Sequence, residues 1–419
     1  MDFMALHPNL RVRIGVAFIQ RLVASMVMTF MAIYLAASYG VAAAGALMLV
    51  VVVAGVAGAF TGGHMSDVHG RRSTLLIGEL GVFATFAVMA LADSSWWHSA
   101  LVVYLCYIVN NFATGYAMPA NDAMIVDITT PETRKLAYTV NYWSINLALA
   151  LGALLGGFLY NGHFTLLLTI AASGMAAALA STYFLITETR PAAAPAAASP
   201  LRAFVTGYRT VLRDRLFGRL LVAATLGMAI EMQLIYYVAV RLAGEFPPQR
   251  LLAAGPWELH VDGVEMLGIL RAENTALVVV LALFSHVMLR GMADGHRLYA
   301  GIGMFTAGYM VLAASNTGWV LMVAAAVFTV GELMNVPVKQ ALLADMVPAD
   351  ARPRYMAVYS LNIRAALVIA SLCITLGSVV PPWGMAALYG AFGAVILLQY
   401  RAILARTPTT DRAAACPVR

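Results

Sequence analysis

The chain has 419 residues, of which 62% are hydrophobic and 11% are charged, and its formal net charge at pH 7 is +6. A soluble protein of this length would carry about 25% charged residues, and no single globular core could bury so much apolar surface. Lipid must therefore be the solvent for much of the chain. The three cysteines, Cys106, Cys373 and Cys416, are scattered, so they indicate neither a disulfide framework nor a metal site.

Long apolar segments recur along the whole chain. Each has about 20 residues, which is enough to cross a bilayer as a helix. Because backbone groups in lipid must bond within their own segment, every such segment is predicted to be helical. The first is too long for the apolar region of a cleaved signal peptide. The spans are predicted, to within about a few residues, at 14–36, 41–62, 73–92, 99–121, 139–160, 163–187, 218–240, 271–290, 298–315, 318–341, 356–380 and 383–405.

The basic residues, Arg13 and Lys339 among them, fall mainly on one side of these spans. Arg241, Arg250 and Arg271 are assigned to the other side, and Arg21 and Arg364 lie inside apolar segments. The Lys/Arg bias of short loops sets orientation, so both termini are predicted to be cytoplasmic. A nucleic-acid-binding protein is excluded, because the basic residues alternate with stretches long enough to span a membrane.

Two connections between the spans are long. Residues 188–217 contain an Ala- and Pro-rich run and end in an Arg-rich stretch, which is predicted to form an amphipathic helix on the membrane surface. In the external loop 241–270, the Asp262-Gly263 turn is a candidate for a small hairpin. The predicted domains are an N-terminal six-helix bundle at 1–187, a cytoplasmic linker at 188–217, a C-terminal six-helix bundle at 218–405 and a cytoplasmic tail at 406–419.

The two halves also carry related residues at matching positions. Both stretches end a spanning helix, pass through an acidic turn with proline, and place an arginine after the aspartate. Such a repeat is typical of a transporter built from two similar halves. The matching residues are Pro119, Ala123, Asp127 and Arg134 in the first half and Pro337, Ala341, Asp345 and Arg352 in the second.

A short polar turn, Gly63-His64-Met65-Ser66-Asp67-Val68-His69-Gly70-Arg71-Arg72, joins the second and third spans. Its spacing resembles the signature loop between helices 2 and 3 of the major facilitator superfamily, although Val68 stands where that family usually has Arg or Lys. The resemblance implies an all-α membrane protein with the major facilitator fold, that is, twelve transmembrane helices in two pseudo-symmetric six-helix bundles that work by alternating access. The expected conformational latch comprises Gly63, Asp67, Gly70, Arg71, Arg72, Asp127 and Arg134.

Several ionisable residues fall within or near predicted spans. A charge at mid-bilayer costs roughly 2.5–3.5 kcal/mol, so each should face water or a partner. Glu332 and Glu231 lie among apolar residues, and we expect them to carry the coupling proton. The alternative is a static pair of either glutamate with Arg21 or Arg364, while Asp122 is expected to tether a loop.

Polar and aromatic residues in other spans are candidates for the wall of a substrate cavity. Gly152 and Gly156 in the fifth span form a small-x-x-x-small pair, which indicates close helix packing or the antiporter motif of drug exporters. Aromatic residues that face lipid or the protein core are the commoner alternative. The predicted cavity residues are Arg21, Tyr116, Asn141, Tyr142, Trp143, Tyr236, Tyr237, Asn335 and Arg364.

A narrower resemblance, to the LmrP group of multidrug–proton antiporters, covers nearly the whole chain. It rests on residues 121–127, 132–135 and 141–143, on Gly331-Glu332, and on the seventh-span run that ends at Leu242. In that group, carboxylates in helices 5, 7 and 10 are implicated in proton coupling and in binding cationic drugs. Only the helix 10 acid carries over directly, to Glu332; the helix 5 position is Asn141, and the helix 7 position is Ile235, one turn after Glu231.

The sequence therefore predicts proton-coupled export of amphipathic small molecules from a monomer in the bacterial cytoplasmic (inner) membrane. The proton is the expected coupling ion, with no other cofactor, no metal and no nucleic-acid partner; membrane lipid is the other expected partner. Two alternatives stay open, which are proton-coupled uptake of a nutrient such as a peptide or metal chelate, and a non-transporting sensor or lipid-binding scaffold. Enzyme chemistry is not expected, because no nucleophile–base arrangement, metal-ligand cluster or nucleotide-binding loop is found.

Overall fold

The computed structural model describes residues 8–127, 131–189, 211, 213–254, 257–348 and 351–405. Helices account for almost all of this part of the chain, and a two-stranded sheet forms a hairpin. The elements are α1 (Pro8–Met28), α2 (Met31–Tyr39), α3 (Val41–His69), α4 (Arg71–Ala92), α5 (Ala100–Asp127), α6 (Pro131–Leu185), α7 (Arg215–Met232), a 3-10 turn (Gln233–Ile235), α8 (Tyr237–Glu245), β1 (Gln249–Ala254), β2 (Trp257–Val261), α9 (Gly263–Met288), α10 (Asp294–Ala314), α11 (Gly318–Met346), α12 (Arg352–Tyr359), α13 (Leu361–Gly377) and α14 (Pro382–Leu404).

The predicted all-α membrane fold is confirmed. Ten helical stretches in the described residues are long and apolar enough to cross a membrane. One of them, Leu136–Leu185, is broken at Asn161, Gly162 and His163, where Gly162 adopts a φ of 78° that favours glycine, so it crosses twice. The 21-residue helix α10 is not among the ten, but it covers the predicted span 298–315. With the two parts of Leu136–Leu185 counted separately, the described residues contain a helical stretch at each of the twelve predicted spans.

The chain divides into two compact units. The N-terminal unit contains the described residues of Met1–Ala197 together with Val261–Thr275, the first part of α9. The C-terminal unit contains those of Ala198–His260 and Ala276–Arg419. The predicted surface helix of the linker and the tail at 406–419 fall mostly or wholly outside the described residues, and the domain boundaries stay a prediction.

Glycines bring helix backbones of the N-terminal unit into direct contact. A Cβ atom at Gly58 or Gly62 of α3 would lie 2.1 Å or 2.0 Å from a backbone oxygen of α5, on Phe112 or Tyr116 respectively. In the same way, α6 approaches α1 through Gly152 and Gly156, where a Cβ would lie 2.4 Å and 2.3 Å from backbone oxygens. Helices without side chains at the contact can approach closely and gain dispersion energy in lipid. The contacts of Gly152 and Gly156 are therefore those of close helix packing.

Helix termini on the predicted external side are capped by side chains. Arg241 is 4% exposed and donates to the backbone oxygens of Leu312 and Ser315 at 3.0 Å and 2.6 Å, which satisfies carbonyls at the end of α10. Asp262 accepts from the amides of Val264 and Glu265, and Glu265 accepts from the Asp262 amide, a capping box that starts α9. The hairpin exists, but its strands flank residues 255–256; Asp262-Gly263 begins a helix instead of a turn.

The close contact between α3 and α5 generates a stability prediction. Gly62→Ala places a methyl group against the Tyr116 carbonyl, so the helices must separate, and we expect a loss of about 1–3 kcal/mol of stability. Thermal unfolding in detergent measures it. Gly63→Ala is the matched control, because the nearest atom to its Cβ is a Pro119 side-chain carbon at 3.9 Å. Equal unfolding temperatures for the two variants would contradict the contact.

A second prediction concerns Asp93, at the end of α4, where Thr165 Oγ1 lies 2.8 Å from Asp93 Oδ2. Burial raises the pKa of Asp93 above its usual value, and the hydrogen bond from Thr165 offsets part of this rise. The fold thus favours the neutral carboxyl, so the wild type loses this contribution as pH rises through the raised pKa. The unfolding temperature of Asp93→Asn minus that of the wild type should therefore be larger at pH 7 than at pH 4. An equal difference at the two pH values would contradict a raised pKa at Asp93.

Candidate functional site

The polar turn between α3 and α4 gathers most of the predicted latch residues in the N-terminal unit. Gly70 links the two helices with a φ of 95°, in the left-handed region that favours glycine. Arg71 Nη1 donates to Asp67 Oδ1 at 2.8 Å and to Ser66 Oγ at 2.9 Å, and Arg71 Nε lies 3.5 Å from Asp127 Oδ2. The arginine therefore joins α3, α4 and α5. The side chain of Arg134 falls outside the described side chains.

Glu188, at the start of the predicted linker, caps the N-terminus of α4. Its two carboxylate oxygens accept from the backbone amides of Arg71 and Arg72, both at 3.0 Å. A carboxylate at this end of a helix satisfies unpaired amides and meets the positive end of the helix dipole. A Cβ at Gly70 would lie 2.5 Å from Glu188 Oε2, so the glycine also makes room for the cap.

Arg72 holds the end of α6 beside this cap. Its Nε donates to the backbone oxygen of Ile186 at 2.7 Å and its Nη2 to that of Tyr183 at 2.6 Å. The guanidinium carbon also lies 5.6 Å from the centroid of the Tyr183 ring, which adds a cation–π contact. These bonds connect α4 to the last turn of α6 within one unit. The predicted latching of the two halves by this loop stays a prediction.

A buried ion pair lies in the same unit, between α1 and α4. Arg13 and Glu79 are both 1% exposed, and Arg13 Nη1 lies 3.4 Å from Glu79 Oε1. Arg13 Nε donates to Asn121 Oδ1 at 2.7 Å, and Gln20 Nε2 donates to Glu79 Oε1 at 2.7 Å. Arg13, which the charge pattern assigns to the cytoplasmic side, is buried within the bundle. Arg21 and Asp122 are exposed and interact electrostatically with each other.

Lys339 lies within electrostatic range of two acids of the C-terminal unit. Lys339 of α11 interacts electrostatically with Glu231 and Glu332. Glu332 and Lys339 are seven residues apart, which is two helical turns, so they share one face of α11. The two glutamates therefore have Lys339 as a cationic partner within their own unit. The sequence interpretation assigned Lys339 to the cytoplasmic side, and it considered only Arg21 or Arg364 as the partner.

The seventh span is broken next to Glu231. α7 ends at Met232, the residues Gln233–Ile235 form a 3-10 turn, and Tyr236 has non-helical backbone angles before α8 begins. The Tyr309 hydroxyl donates to the Glu231 backbone oxygen at 3.1 Å, and the fully buried Gln233 receives a hydrogen bond from Tyr389 at 3.0 Å. Tyr309 thus satisfies a backbone carbonyl beside the break, and Tyr389 holds the Gln233 side chain at it.

The remaining predicted cavity residues lie in different surroundings. Tyr116, Tyr236, Tyr237 and Asn335 are at most 9% exposed and pack between helices of their own units; Tyr237, for example, would contact a Cβ at Gly377 at 2.3 Å. Tyr142 and Trp143 are 45% and 38% exposed, whereas Asn141 and Arg364 are half-buried. Arg21 lines a cavity within the N-terminal unit. The role of all these residues in substrate binding stays a prediction.

Two carboxylates within apolar spans were missed among the candidates from the sequence. Glu79 lies in an apolar span and could have been found by the cost of a charge in lipid. Glu273 of α9 is half-buried and lies in an apolar run in the same way. Glu188 carried no such signal, because its partners are more than a hundred residues away in the sequence.

A bundle of apolar spans with charges in its interior is the architecture of a secondary transporter. The family model described as Major Facilitator Superfamily matches residues 14–256, which is more than half of the chain. The chain belongs to the major facilitator superfamily, and it is an integral membrane transporter, not an enzyme.

Two relatives match over most of their length. The chain is 28% identical to a "Na(+), Li(+), K(+)/H(+) antiporter" of Planococcus maritimus over 87% of this chain and 88% of the relative. It is 26% identical to the "Multidrug resistance protein MdtH" of Cronobacter sakazakii over 70% of this chain and 67% of the relative. The narrower LmrP resemblance stays a prediction.

Solved structures of peptide transporters share the fold. A POT peptide transporter in complex with sulfate aligns with a TM-score of 0.71 at 18% identity, covering 97% of this chain and 95% of that one. An auto-inhibited POT family peptide transporter aligns with a TM-score of 0.72 at 15% identity, covering 98% and 99%. At these identities the likeness concerns the fold alone.

The cap on α4 generates a testable change. Glu188→Gln keeps the shape of the side chain but removes the charge from the helix N-terminus, and we expect α4 to lose about 1 kcal/mol of stabilisation. Hydrogen exchange of the amides in the first turn of α4 should rise. The control is Glu258→Gln, at a carboxylate of the hairpin that is 47% exposed. Unchanged exchange in Glu188→Gln would show that the cap does not hold this turn.

Proposed function

We propose that this protein is a proton-coupled antiporter that exports amphipathic compounds by alternating access. The observation that carries the proposal is the cluster of Glu231, Glu332 and Lys339 in the C-terminal unit. Glu332 is the principal proton carrier, and Glu231 is a second carrier or a ligand for the substrate. The proton is the coupling ion, and the transporter works as a monomer in the bacterial cytoplasmic membrane with both termini inside.

The charges of this cluster suit it to one proton. Two carboxylates and one ammonium carry a net charge of −1 when all three are ionised, and binding a single proton makes the cluster neutral. An isolated charge among apolar helices is costly, so the two states have different preferences for water and for a closed, dry surrounding. Because the three groups interact, the proton belongs to the cluster as a whole.

The break in the seventh span supplies a way to link proton binding to movement. Glu231 is two residues before the 3-10 turn at Gln233–Ile235, and its backbone oxygen is bonded by Tyr309. A short 3-10 stretch within a helix often marks a hinge, and broken helices form ion sites in many transporters. Adding or removing a proton at Glu231 therefore changes the charge next to the break in this span.

The proton gradient provides enough energy for export. A proton that enters down ~100 mV gains about 2.3 kcal/mol. One unit of pH difference adds about 1.4 kcal/mol. The sum supports a solute gradient of several hundred-fold, roughly, for each proton in the cycle. The relative named as a multidrug resistance protein supports amphipathic compounds as the substrate class.

A second candidate is exchange of a monovalent metal cation for a proton. The relative that matches 87% of this chain carries that activity in its name. Nutrient uptake is the remaining transport alternative, and the peptide-transporter structures support it through fold alone. In all of these cases the carboxylates of the C-terminal unit are the proposed proton carriers.

Proteoliposomes with purified protein distinguish these candidates. Export predicts that an imposed proton gradient drives a fluorescent dye in the direction opposite to the protons, and that Glu332→Gln lowers this rate at least tenfold, roughly the effect of losing a required proton carrier. Glu258→Gln, at the hairpin carboxylate, serves as the matched control. Movement of a dipeptide together with protons indicates uptake, and proton exchange with Na⁺ or K⁺ but not dye indicates cation antiport. Full dye export by Glu332→Gln would refute its role.

A further inference from the structure

The N-terminal unit contains a cavity of about 150 Å³ among α1, α4 and α5. An apolar cavity of roughly this volume holds one benzene ring. Drug-sized ligands occupy pockets of roughly 300–1,000 Å³. The cavity therefore suits a single ring, which is either a small molecule or one end of a larger one.

One part of the cavity lining is apolar and adaptable. It includes Val82 and Phe86 of α4 and three methionines, Met28, Met118 and Met175. Methionine fills irregular gaps, and its sulfur makes favourable contacts with aromatic rings. This part of the lining therefore favours an aromatic ring over a strongly hydrated group.

The charged side chains of the lining are already balanced. Arg13 forms an ion pair with Glu79 at 3.4 Å, and Glu79 also accepts a hydrogen bond from Gln20 Nε2 at 2.7 Å. Arg21 interacts electrostatically with Asp122. A cation or an anion in the cavity would add an uncompensated charge to this set, which is costly in a bundle interior. The cavity therefore suits a neutral ligand.

A buried carbonyl oxygen of the lining lacks a hydrogen-bond donor. Asn110 is 0% exposed, and its Oδ1 accepts no hydrogen bond from the described residues. Its amide nitrogen donates to Thr85 Oγ1 at 2.8 Å, and the Thr85 hydroxyl in turn lies 2.9 Å from backbone oxygens of Gly81 and Val82. The nitrogen is therefore committed, and the oxygen is free. Buried polar atoms are nearly always satisfied, so this oxygen points to a ligand with an N–H or O–H group.

We propose that this cavity binds a neutral aromatic ring that carries one O–H or N–H donor, as a phenol does. The donor binds Asn110 Oδ1, and the ring occupies the space lined by Phe86 and the methionines. A phenol stays uncharged at neutral pH, because its pKa is about 10. Water is the competitor that could satisfy Asn110 without filling the apolar part of the cavity.

A phenolic ring is amphipathic, so it belongs to the class of compounds proposed above for export. Its role as a substrate rests on that proposed function, whereas its binding is measured without transport. Loss of dye export in Glu332→Gln would leave phenol binding in the N-terminal unit unchanged. Absence of phenol binding would leave the proton carriers of the C-terminal unit untouched. The two proposals therefore fail separately.

Equilibrium dialysis of the purified protein against radiolabelled phenol at pH 7 tests the site, with empty detergent micelles as the blank. We expect saturable binding of a single phenol. Toluene has nearly the same shape but no donor, and we expect it to compete roughly tenfold less well, because it leaves the Asn110 oxygen unpaired. Phenol uptake equal to that of the blank would mean that the cavity holds water only, and would overturn the proposal.

The charge of the ligand is tested in the same competition assay. Benzylamine is a cation at pH 7 and benzoate is an anion, and both have about the size of phenol plus one carbon. We expect each to compete at least tenfold less well than phenol, roughly, because neither finds an unbalanced counter-charge in the lining. Competition by either ion as strong as that of phenol would contradict a neutral site.

Two variants locate the ligand. Asn110→Leu keeps a side chain of similar size without the acceptor, and we expect the dissociation constant of phenol to rise roughly tenfold while that of toluene does not rise. A merely loosened cavity would weaken both ligands alike. Ala24→Phe places a ring in the cavity that Ala24 lines, and it should abolish binding of both ligands.

Ala84→Phe is the matched control for the added ring, because Ala84 is an exposed residue of α4 outside the lining, and it should bind phenol like the wild type. Ala24→Phe keeps the test decisive where Asn110→Leu does not fold. An unchanged dissociation constant for phenol in either Asn110→Leu or Ala24→Phe would place the ligand elsewhere and overturn the assignment.

Discussion

Charged side chains inside an apolar bundle must find partners there, and this constraint governs the structure. Arg13 and Glu79 form an ion pair that is almost fully buried. In the C-terminal unit, Lys339 interacts electrostatically with Glu231 and Glu332. Arg241 is satisfied in a different way, because its guanidinium donates hydrogen bonds to the backbone carbonyls at the end of α10. Breaking such an arrangement leaves an uncompensated charge, so these residues constrain both the folding of each unit and the chemistry that it can perform.

Close backbone contacts place these charges at fixed positions. The glycines of α3 and α5, and those of α6 against α1, bring helices together without intervening side chains. Within the same unit, Asn121 near the end of α5 and Glu79 of α4 both contact Arg13 of α1. In the C-terminal unit, the seventh span is interrupted, and one of its backbone carbonyls, that of Glu231, is bonded by Tyr309 of a neighbouring helix. One unit is tightly packed around its ion pair, and the other has a break beside its acids.

The sequence predicts the spans well, because apolar length and the cost of unpaired backbone groups leave few alternatives. It predicts the partners of charges less well. Arg13 and Lys339 lie close to the ends of their apolar segments, where boundaries are uncertain by a few residues, and both were assigned to the cytoplasmic side. Asp262-Gly263 has the composition of a turn, but Glu265 completes a capping box that favours a helix. The break at Gln233–Ile235 contains neither Gly nor Pro, so no local residue indicates it.

The carboxylate of Glu188 joins the chain to amides more than a hundred positions earlier, so the segment from α4 to α6 is fastened into a ring before the linker continues. The hydrogen bonds that hold these two helices together thus lie within the N-terminal bundle itself. Whatever follows Thr189 is attached to a structure that is already closed. A chain divided in the connecting segment would therefore retain the bonds from Glu188 to the start of α4 within its first piece.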